Sequence, residues 1–119
     1  MTPFGAKLRE LRGRKGLTQK QMAAALNVSA AYLSALEHGR RAAPSFDFVQ
    51  RVTGYFNVIW DDAEELQRLA SISNPKVSID TSGLDPKATE LANQLAQRIS
   101  SMTKEELEAL LECVKLPGG

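Results

Sequence analysis

The sequence predicts an all-α protein with a five-helix domain, a linker and a C-terminal helical hairpin. Apolar residues recur three and four positions apart along most of the chain, which is the spacing of amphipathic helices. Most of these segments begin at a serine, threonine or aspartate that suits a helix N-cap. Residues 73–85 break the pattern with Asn-Pro, a Thr-Ser-Gly cluster and a short alternation at 77–80 that would suit one strand. The predicted boundaries are therefore a domain at 1–73, a linker at 74–85 and a C-terminal segment at 86–119.

The first three helices are predicted from apolar spacing and from residues that start and stop helices. Residues 4–15 carry three apolar side chains on one face, and Gly16 follows as a stop signal. Thr18 is a good N-cap for a second helix, which runs through strong helix formers to Asn27. Asparagine tolerates the left-handed conformation that a tight turn between helices requires. Ser29 then caps the third helix.

The fourth and fifth helices complete the predicted domain. The fourth begins at Pro44 or Ser45, and the fifth begins at Asp61 or Asp62, because acids are stabilised at the positive end of a helix. The face of the fourth helix predicted to be buried consists of Phe46, Val49, Val52 and Phe56. The aromatic residues expected in the core between these two helices are Tyr55, Phe56 and Trp60.

The C-terminal segment is predicted to form two amphipathic helices. Asp85-Pro86 is an N-cap followed by proline at the first helical position, and Thr103 and Glu106 have the spacing of a capping box. A segment this short is too small to bury its apolar stripes alone, so they must pack on the fifth helix, a second copy or another protein. The stripe residues, which we predict to mediate dimerisation, are Leu91, Leu95, Ile99, Leu107, Leu110, Leu111 and Val114.

The composition is that of an ordinary globular protein. Hydrophobic residues at 43% and charged residues at 24% exclude a disordered chain. The single cysteine, Cys113, cannot form an intrachain disulfide and suits a reducing cytoplasm. The N-terminus lacks the apolar core of a signal peptide, and no run approaches the roughly 18 apolar residues of a membrane span. We expect a cytoplasmic protein without membrane association.

The two parts of the chain carry opposite charge. Residues 1–41 hold eight basic and two acidic residues, a net charge of +6, whereas residues 42–119 hold seven basic and twelve acidic residues, a net charge of −5. A basic first part suggests that this part contacts a polyanion. Two solvated faces of opposite sign would give the same totals.

Residues 19–37 meet the requirements of a helix-turn-helix in register. Ala23 is small enough for two helices to cross closely, and Asn27 permits the turn between them. An ordinary helical hairpin inside a bundle is the alternative interpretation. The predicted core contacts are Met22, Leu26, Val28, Leu33 and Leu36. The residues left facing outward on the third helix are Ala30, Ala31, Ser34 and Ala35.

The stretch LRELRGRKGLTQKQMAAALNVSAAYLSALEHGRRAAPS resembles the phage repressor and Cro type of helix-turn-helix regulator, often called the xenobiotic-response-element family. The resemblance covers about residues 4–72 and implies the lambda-repressor-like five-helix fold. It also implies sequence-specific binding of double-stranded DNA, usually as a dimer, with the third helix in the major groove. By the same resemblance, Gln19 bonds a phosphate and braces the third helix, and Arg12 pairs with Glu37. Asn27 departs from the family pattern, in which glycine is usual.

The outward face of the third helix is rich in alanine, so we expect few direct hydrogen bonds to bases. An alanine methyl group packs against the thymine methyl, and DNA shape supplies further selectivity. Arg40 and Arg41 follow the helix and are placed to contact phosphates. The predicted DNA-binding residues are Thr18, Gln19, Lys20, Ser29, Ala30, Ala31, Tyr32, Ser34, Ala35, His38, Arg40 and Arg41.

No catalytic residue, metal site or cofactor is predicted. His38 is the only histidine, which excludes a histidine cluster, and its position indicates a helix end or a phosphate contact. Cys113 lies among apolar residues and is expected to pack against them. The acids at 61–65 are better explained as residues that start a helix than as a metal or acid–base set.

The predicted function is that of a sequence-specific DNA-binding transcriptional regulator. We expect a repressor that acts as a homodimer on a two-fold operator and is associated with the nucleoid when bound to DNA. The alternative is an antitoxin-type autoregulator whose C-terminal helices bind a toxin or another partner protein. A third interpretation is a protein-interaction module that has lost DNA binding. No enzymatic activity is predicted.

Overall fold

The computed structural model describes residues 1–115, and the all-α class predicted from the sequence is confirmed. The helices of the first part are α1 (Pro3–Arg14), α2 (Gln19–Leu26), α3 (Ala30–Glu37), α4 (Phe46–Tyr55) and α5 (Trp60–Ser71). Those of the second part are α6 (Pro86–Arg98), a short 3-10 helix (Ile99–Ser101) and α7 (Lys104–Val114). Residues 77–80, where the sequence allowed a short strand, form none, because no partner strand exists among residues 1–115.

The chain divides between Val77 and Ser78 into two units. The first unit, residues 1–77, holds α1 to α5, and the second unit, from residue 78 onward, holds α6, the 3-10 helix and α7. Every helix within residues 1–115 is too short or too polar to cross a lipid bilayer.

The first unit closes a core of its own. Helix α1 packs against α3 and α5, α2 packs against α3 and α4, and α4 packs against α5. Each of these helices therefore has at least one neighbour to cover its apolar stripe. The buried apolar residues are Phe4, Leu8, Leu11, Met22, Ala23, Leu26, Leu33, Leu36, Phe48, Val49, Val52, Leu66 and Ala70.

The helices begin mostly where their capping residues predict. Thr18 and Gln21 form a capping box, in which each side chain accepts a hydrogen bond from the other's backbone N–H, at 3.0 and 2.9 Å. The hydroxyl of Ser29 accepts from the backbone N–H of Tyr32 at 3.0 Å. Asn27 takes the left-handed conformation, with φ of 58° and ψ of 48°, as the turn requires.

Two aromatic residues that the sequence placed in the core lie at the surface instead. Phe46 is 62% exposed, because the buried face of α4 is rotated toward Phe48, which is 3% exposed. Trp60 is 83% exposed. It is the first residue of α5 and has a φ of 53°, so the apolar periodicity of α5 does not fix the direction of its side chain. Tyr55 and Phe56 do pack against the core as expected, both partly buried.

The second unit forms its helices but no buried core. Asp85 caps α6 by accepting a hydrogen bond from the backbone N–H of Lys87 at 2.7 Å. Thr103 and Glu106 form the predicted capping box of α7, with distances of 3.0 and 3.1 Å. No residue from 78 to 115 is buried. Cys113 is exposed as well, so the packing expected for it is not made within this part of the chain.

Candidate nucleic-acid interface

Helices α2 and α3 form the helix-turn-helix, and the turn between them is closed by backbone hydrogen bonds. The N–H of Val28 donates to the carbonyl of Ala23 at 2.9 Å, and the N–H of Asn27 donates to that of Ala24 at 3.2 Å. Ala23 is only 2% exposed at the crossing of the two helices, where a larger side chain would hold them apart. The local geometry therefore sets the direction of α3 relative to α2.

A buried carboxylate at the end of α3 ties three parts of the domain together. Glu37 is fully buried, and Arg12 of α1 binds it with two parallel hydrogen bonds of 2.9 and 3.1 Å. The side-chain amide of Gln19, the first residue of α2, donates a third at 3.0 Å. A buried charge is tolerated only with such partners. The Arg12–Glu37 pair implied by the family resemblance is confirmed, and Gln19 braces α3 through the same carboxylate.

Arg12 also holds the loop before α2. Its third nitrogen donates to the carbonyl of Leu17 at 3.1 Å, so one guanidinium connects α1, this loop and α3. The planar fork of arginine suits such a set of simultaneous contacts better than the single ammonium of lysine. Helix α3 is thus held at its C-terminal end by fixed polar contacts.

Gly5 is a residue of the site that sequence reasoning missed. A Cβ atom at this position of α1 would lie closer to the carbonyl oxygen of Leu36 than two atoms can approach. The absence of a side chain therefore lets α1 lie directly on the last turn of α3. The only signal in the sequence is a glycine within an otherwise regular helical pattern.

The outward face of α3 is small and weakly polar. Ala30 and Ala31 are exposed, and Ser34 and Ala35 are partly buried. His38, the C-cap of α3, donates through Nδ1 to the Ser34 carbonyl at 2.8 Å, which assigns the Nδ1–H tautomer or the imidazolium. Because these side chains are short, a flat or grooved partner could approach the backbone of α3 closely.

The hydroxyl groups at the helix starts retain a donor. Thr18 and Ser29 each accept a backbone N–H as N-caps, so their O–H groups are available to donate. Lys20, Arg40 and Arg41 surround the motif as exposed cations. None of these three cations belongs to an ion pair with a carboxylate within residues 1–115.

Two aromatic rings and a guanidinium pack together beside α3. The ring of Tyr32 meets that of Phe48 edge to face, with centroids 5.7 Å apart and planes at 85°. The guanidinium carbon of Arg41 lies 5.3 Å from the centroid of the Tyr32 ring. Tyr32 is partly buried, so its ring is shared between the core and this surface.

Arg51 of α4 is a further cation near the motif that the sequence pattern did not indicate. It is exposed, and its guanidinium donates to the carbonyl of Leu26 at the end of α2, at 2.9 Å. It lines a groove whose other residues are Val28, Ser29, Tyr32, Ser45 and Phe48. Because Arg51 lies well beyond residues 19–37, only the folded structure brings it to the motif.

The acids of α5 have structural roles in the described residues. Asp61 and Asp62 lie in the first turn of α5. Glu65 pairs with Arg68 at 2.8 Å, and this hydrogen-bonded guanidinium lowers the pKa of the Glu65 carboxyl. No group of three or more metal-ligating side chains comes together within residues 1–115.

Comparison with known proteins agrees with this geometry. Residues 3–66 match a family described as "Helix-turn-helix domain". The chain is 34% identical over 62 residues to the "Uncharacterized HTH-type transcriptional regulator RghRB" of Bacillus subtilis (strain 168), over 52% of this chain and 45% of that protein. It thus spans under half the length of that relative. A chain of a solved "SinR protein/SinI protein complex" is similar at 21% identity with a TM-score of 0.47, over 94% of each chain. Since the match to the helix-turn-helix domain family spans more than half of the chain, the chain belongs to that family.

Proposed function

We propose that this protein represses transcription by binding a two-fold operator as a homodimer, with α3 in the major groove. The observation that carries the proposal is the fixed position of α3, whose buried end is held by Arg12 and Gln19 through Glu37. A helix held in this way presents its outward face without conformational cost when it meets a groove. Occupation of promoter DNA would then exclude other proteins from it.

The proposed contacts divide into two classes. Base contacts come from the outward face of α3, where alanine methyl groups pack against thymine methyl groups and few hydrogen bonds are made. Phosphate contacts come from the ends of the motif and carry most of the affinity and its salt dependence. The proposed base-facing residues are Ala30, Ala31, Ser34 and Ala35. The proposed phosphate-facing residues are Thr18, Gln19, Lys20, Ser29, His38, Arg40 and Arg41.

Dimerisation is proposed to use the exposed stripes of α6 and α7. Leu91, Ile99, Leu111 and Val114 are 59%, 53%, 51% and 80% exposed, although each is large and apolar. An exposed row of such side chains is costly in water and marks an association surface. Two joined helix-turn-helix units would contact half-sites about 34 Å apart, one turn of DNA. The remaining proposed members of this surface are Leu95, Leu107 and Leu110.

One binding experiment tests the DNA part of the proposal. The full chain is used to select its operator from a randomised duplex pool, and its affinity is then measured at about 50 and 200 mM salt. We expect affinity to fall steeply with salt, because each neutralised phosphate releases counterions. The substitution Ala31→Arg should cost about 1–3 kcal/mol of operator binding or change the preferred bases.

Ala6→Arg is the matched control, because Ala6 is an exposed alanine on α1 that belongs neither to the proposed DNA-binding residues nor to the proposed dimerisation surface. It should leave operator affinity and base preference unchanged apart from a small gain from the added charge. An Ala31→Arg variant with the wild-type operator profile would show that this face of α3 does not enter the groove. Absence of any DNA binding at low salt would contradict the proposed function itself.

The charge of α7 favours a second candidate for the C-terminal helices. Four glutamates and one lysine lie within Lys104–Val114, so two copies of this helix would bring like charges together. A basic partner protein would relieve that repulsion, as in an antitoxin-type autoregulator that also binds a toxin. This candidate would be favoured if a small basic protein copurified in a one-to-one complex that is bound through α7. It would also require the chain to be monomeric when it is purified without that protein.

A further inference from the structure

We propose that Tyr32 positions Arg41 for a phosphate contact and does not itself read bases. The inference rests on the proposed DNA binding and assigns separate roles to two residues of the same surface. Tyr32 lies in the first turn of α3, where a base-reading side chain would be expected. Its surroundings indicate a different role.

The Tyr32 ring is held against the core of the first unit. The ring is partly buried and packs edge to face on Phe48, which is 3% exposed. Edge-to-face packing of this kind restrains the orientation of both rings. A ring held against the core cannot extend into a groove in the way that a long exposed side chain does.

The guanidinium of Arg41 lies over the face of that ring. Arg41 lies in the connection between α3 and α4, with its guanidinium carbon 5.3 Å from the Tyr32 centroid. A cation over an aromatic face is attracted to the ring, and the N–H groups that point away from the ring remain able to donate. Within residues 1–115 no carboxylate pairs with Arg41, so its charge is not neutralised by an ion pair.

These observations together describe a preorganised anion contact. Arginine has several rotatable bonds, and ordering them when DNA binds lowers the affinity. A guanidinium already held on Tyr32 has lost part of that freedom before binding. The neighbouring Arg40 is exposed, and within the described part of the chain no aromatic ring holds it in a cation–π contact. Arg41 is therefore restrained by an aromatic ring, whereas the neighbouring Arg40 is not, so Arg40 serves as its control.

The experiment measures binding of the full chain to its selected operator and to a random duplex. Tyr32→Phe keeps the ring and should change both affinities less than about twofold, whereas Tyr32→Leu should lower both by about five- to tenfold. Arg41→Ala should reduce the salt slope by about one unit. In the Arg41→Ala background Tyr32→Leu should have no further effect, whereas in the Arg40→Ala background it should keep its full effect.

A loss of operator affinity alone in Tyr32→Phe would overturn the proposal, because it would assign base reading to the hydroxyl. Multiplicative losses in the Tyr32→Leu, Arg41→Ala double variant would overturn it as well. NMR of the DNA-free chain supplies a measurement that does not need a stable Tyr32 variant. The side-chain protons of Arg41 should be shifted upfield by the ring current of Tyr32. Random-coil chemical shifts for these protons would contradict the contact between Arg41 and Tyr32. A wild-type chain that shows this upfield shift but binds no DNA would contradict the proposed function, although the contact between Arg41 and Tyr32 would still be supported.

Discussion

The two units form their helices by the same local interactions, but only the first unit has a buried core. Both start helices at side-chain caps, and both carry amphipathic stripes, yet all the buried residues between 1 and 115 lie in the first unit. In the first unit α1 to α5 cover one another's stripes, whereas the second unit has too few elements to do so. Caps and periodicity therefore specify helices, and only the number and crossing of helices decides whether a core closes. The stripes of the second unit remain exposed, and we propose that they bind a second copy of the chain.

Truncating one leucine in each unit should distinguish the two units most clearly. Leu33 is fully buried on α3, and Leu33→Ala should lower the free energy of unfolding by about 2–5 kcal/mol. Leu111 is 51% exposed on α7, and Leu111→Ala should leave the unfolding of the first unit unchanged while weakening self-association. Urea unfolding and sedimentation measure the two effects. Equal loss of stability in both variants would mean that the second unit contributes to the core of the first.

The next effect concerns the buried carboxylate. Arg12→Met removes two of the three hydrogen bonds to Glu37 and should lower the free energy of unfolding by about 3 kcal/mol. Arg14→Met is the control on the same helix, because Arg14 pairs with Glu10 at the surface and should contribute less than about 1 kcal/mol. Both values come from urea unfolding at pH 7. Similar small losses in the two variants would indicate that Glu37 finds another partner.

The smallest effect is expected at Trp60. This residue has a φ of 53° and is 83% exposed, so it combines backbone strain with little burial. Trp60→Asn should raise the free energy of unfolding by up to about 1 kcal/mol, since asparagine tolerates the left-handed conformation. Asn57→Ala is the opposite test, at a neighbouring φ of 54°, and should destabilise. A clear loss of stability in Trp60→Asn would show that the indole makes contacts in the folded protein.

The helix starts were predictable because their chemistry is local. Thr18, Ser29 and Thr103 each accept a hydrogen bond from the backbone N–H three residues later, so a short stretch of sequence contains the whole interaction. The left-handed turn at Asn27 is equally local. By contrast, the core positions assigned to Phe46 and Trp60 were wrong, because the buried face of a helix is chosen by its neighbours.

In the candidate site, too, contacts between distant residues could not be predicted from local sequence. The Arg12–Glu37 pair was predicted only through the family resemblance, since its members lie 25 positions apart. Arg51 and Gly5 reach the motif from α4 and α1, so periodicity within residues 19–37 gives no sign of them. The stacking of Arg41 on Tyr32 likewise depends on the course of the connection after α3. Contacts between distant segments require the folded chain.

The proposed division of roles is that the first unit folds and binds DNA while the second unit joins two copies of the chain. A fragment of residues 1–77 tests it, because this fragment keeps every buried residue described. It also keeps Asn74, whose side-chain oxygen accepts a hydrogen bond from the Ala43 N–H at 2.8 Å. A cut at Ser73 would remove that contact.

The measurement combines circular dichroism, sedimentation and operator binding on the fragment and the full chain. We expect a helical, cooperatively unfolding monomer that binds the operator at least about 100-fold more weakly than the dimeric full chain, because the second half-site is no longer filled intramolecularly. A fragment that dimerises and binds the operator with the affinity of the full chain would show that the first unit, and not the second, joins the two copies.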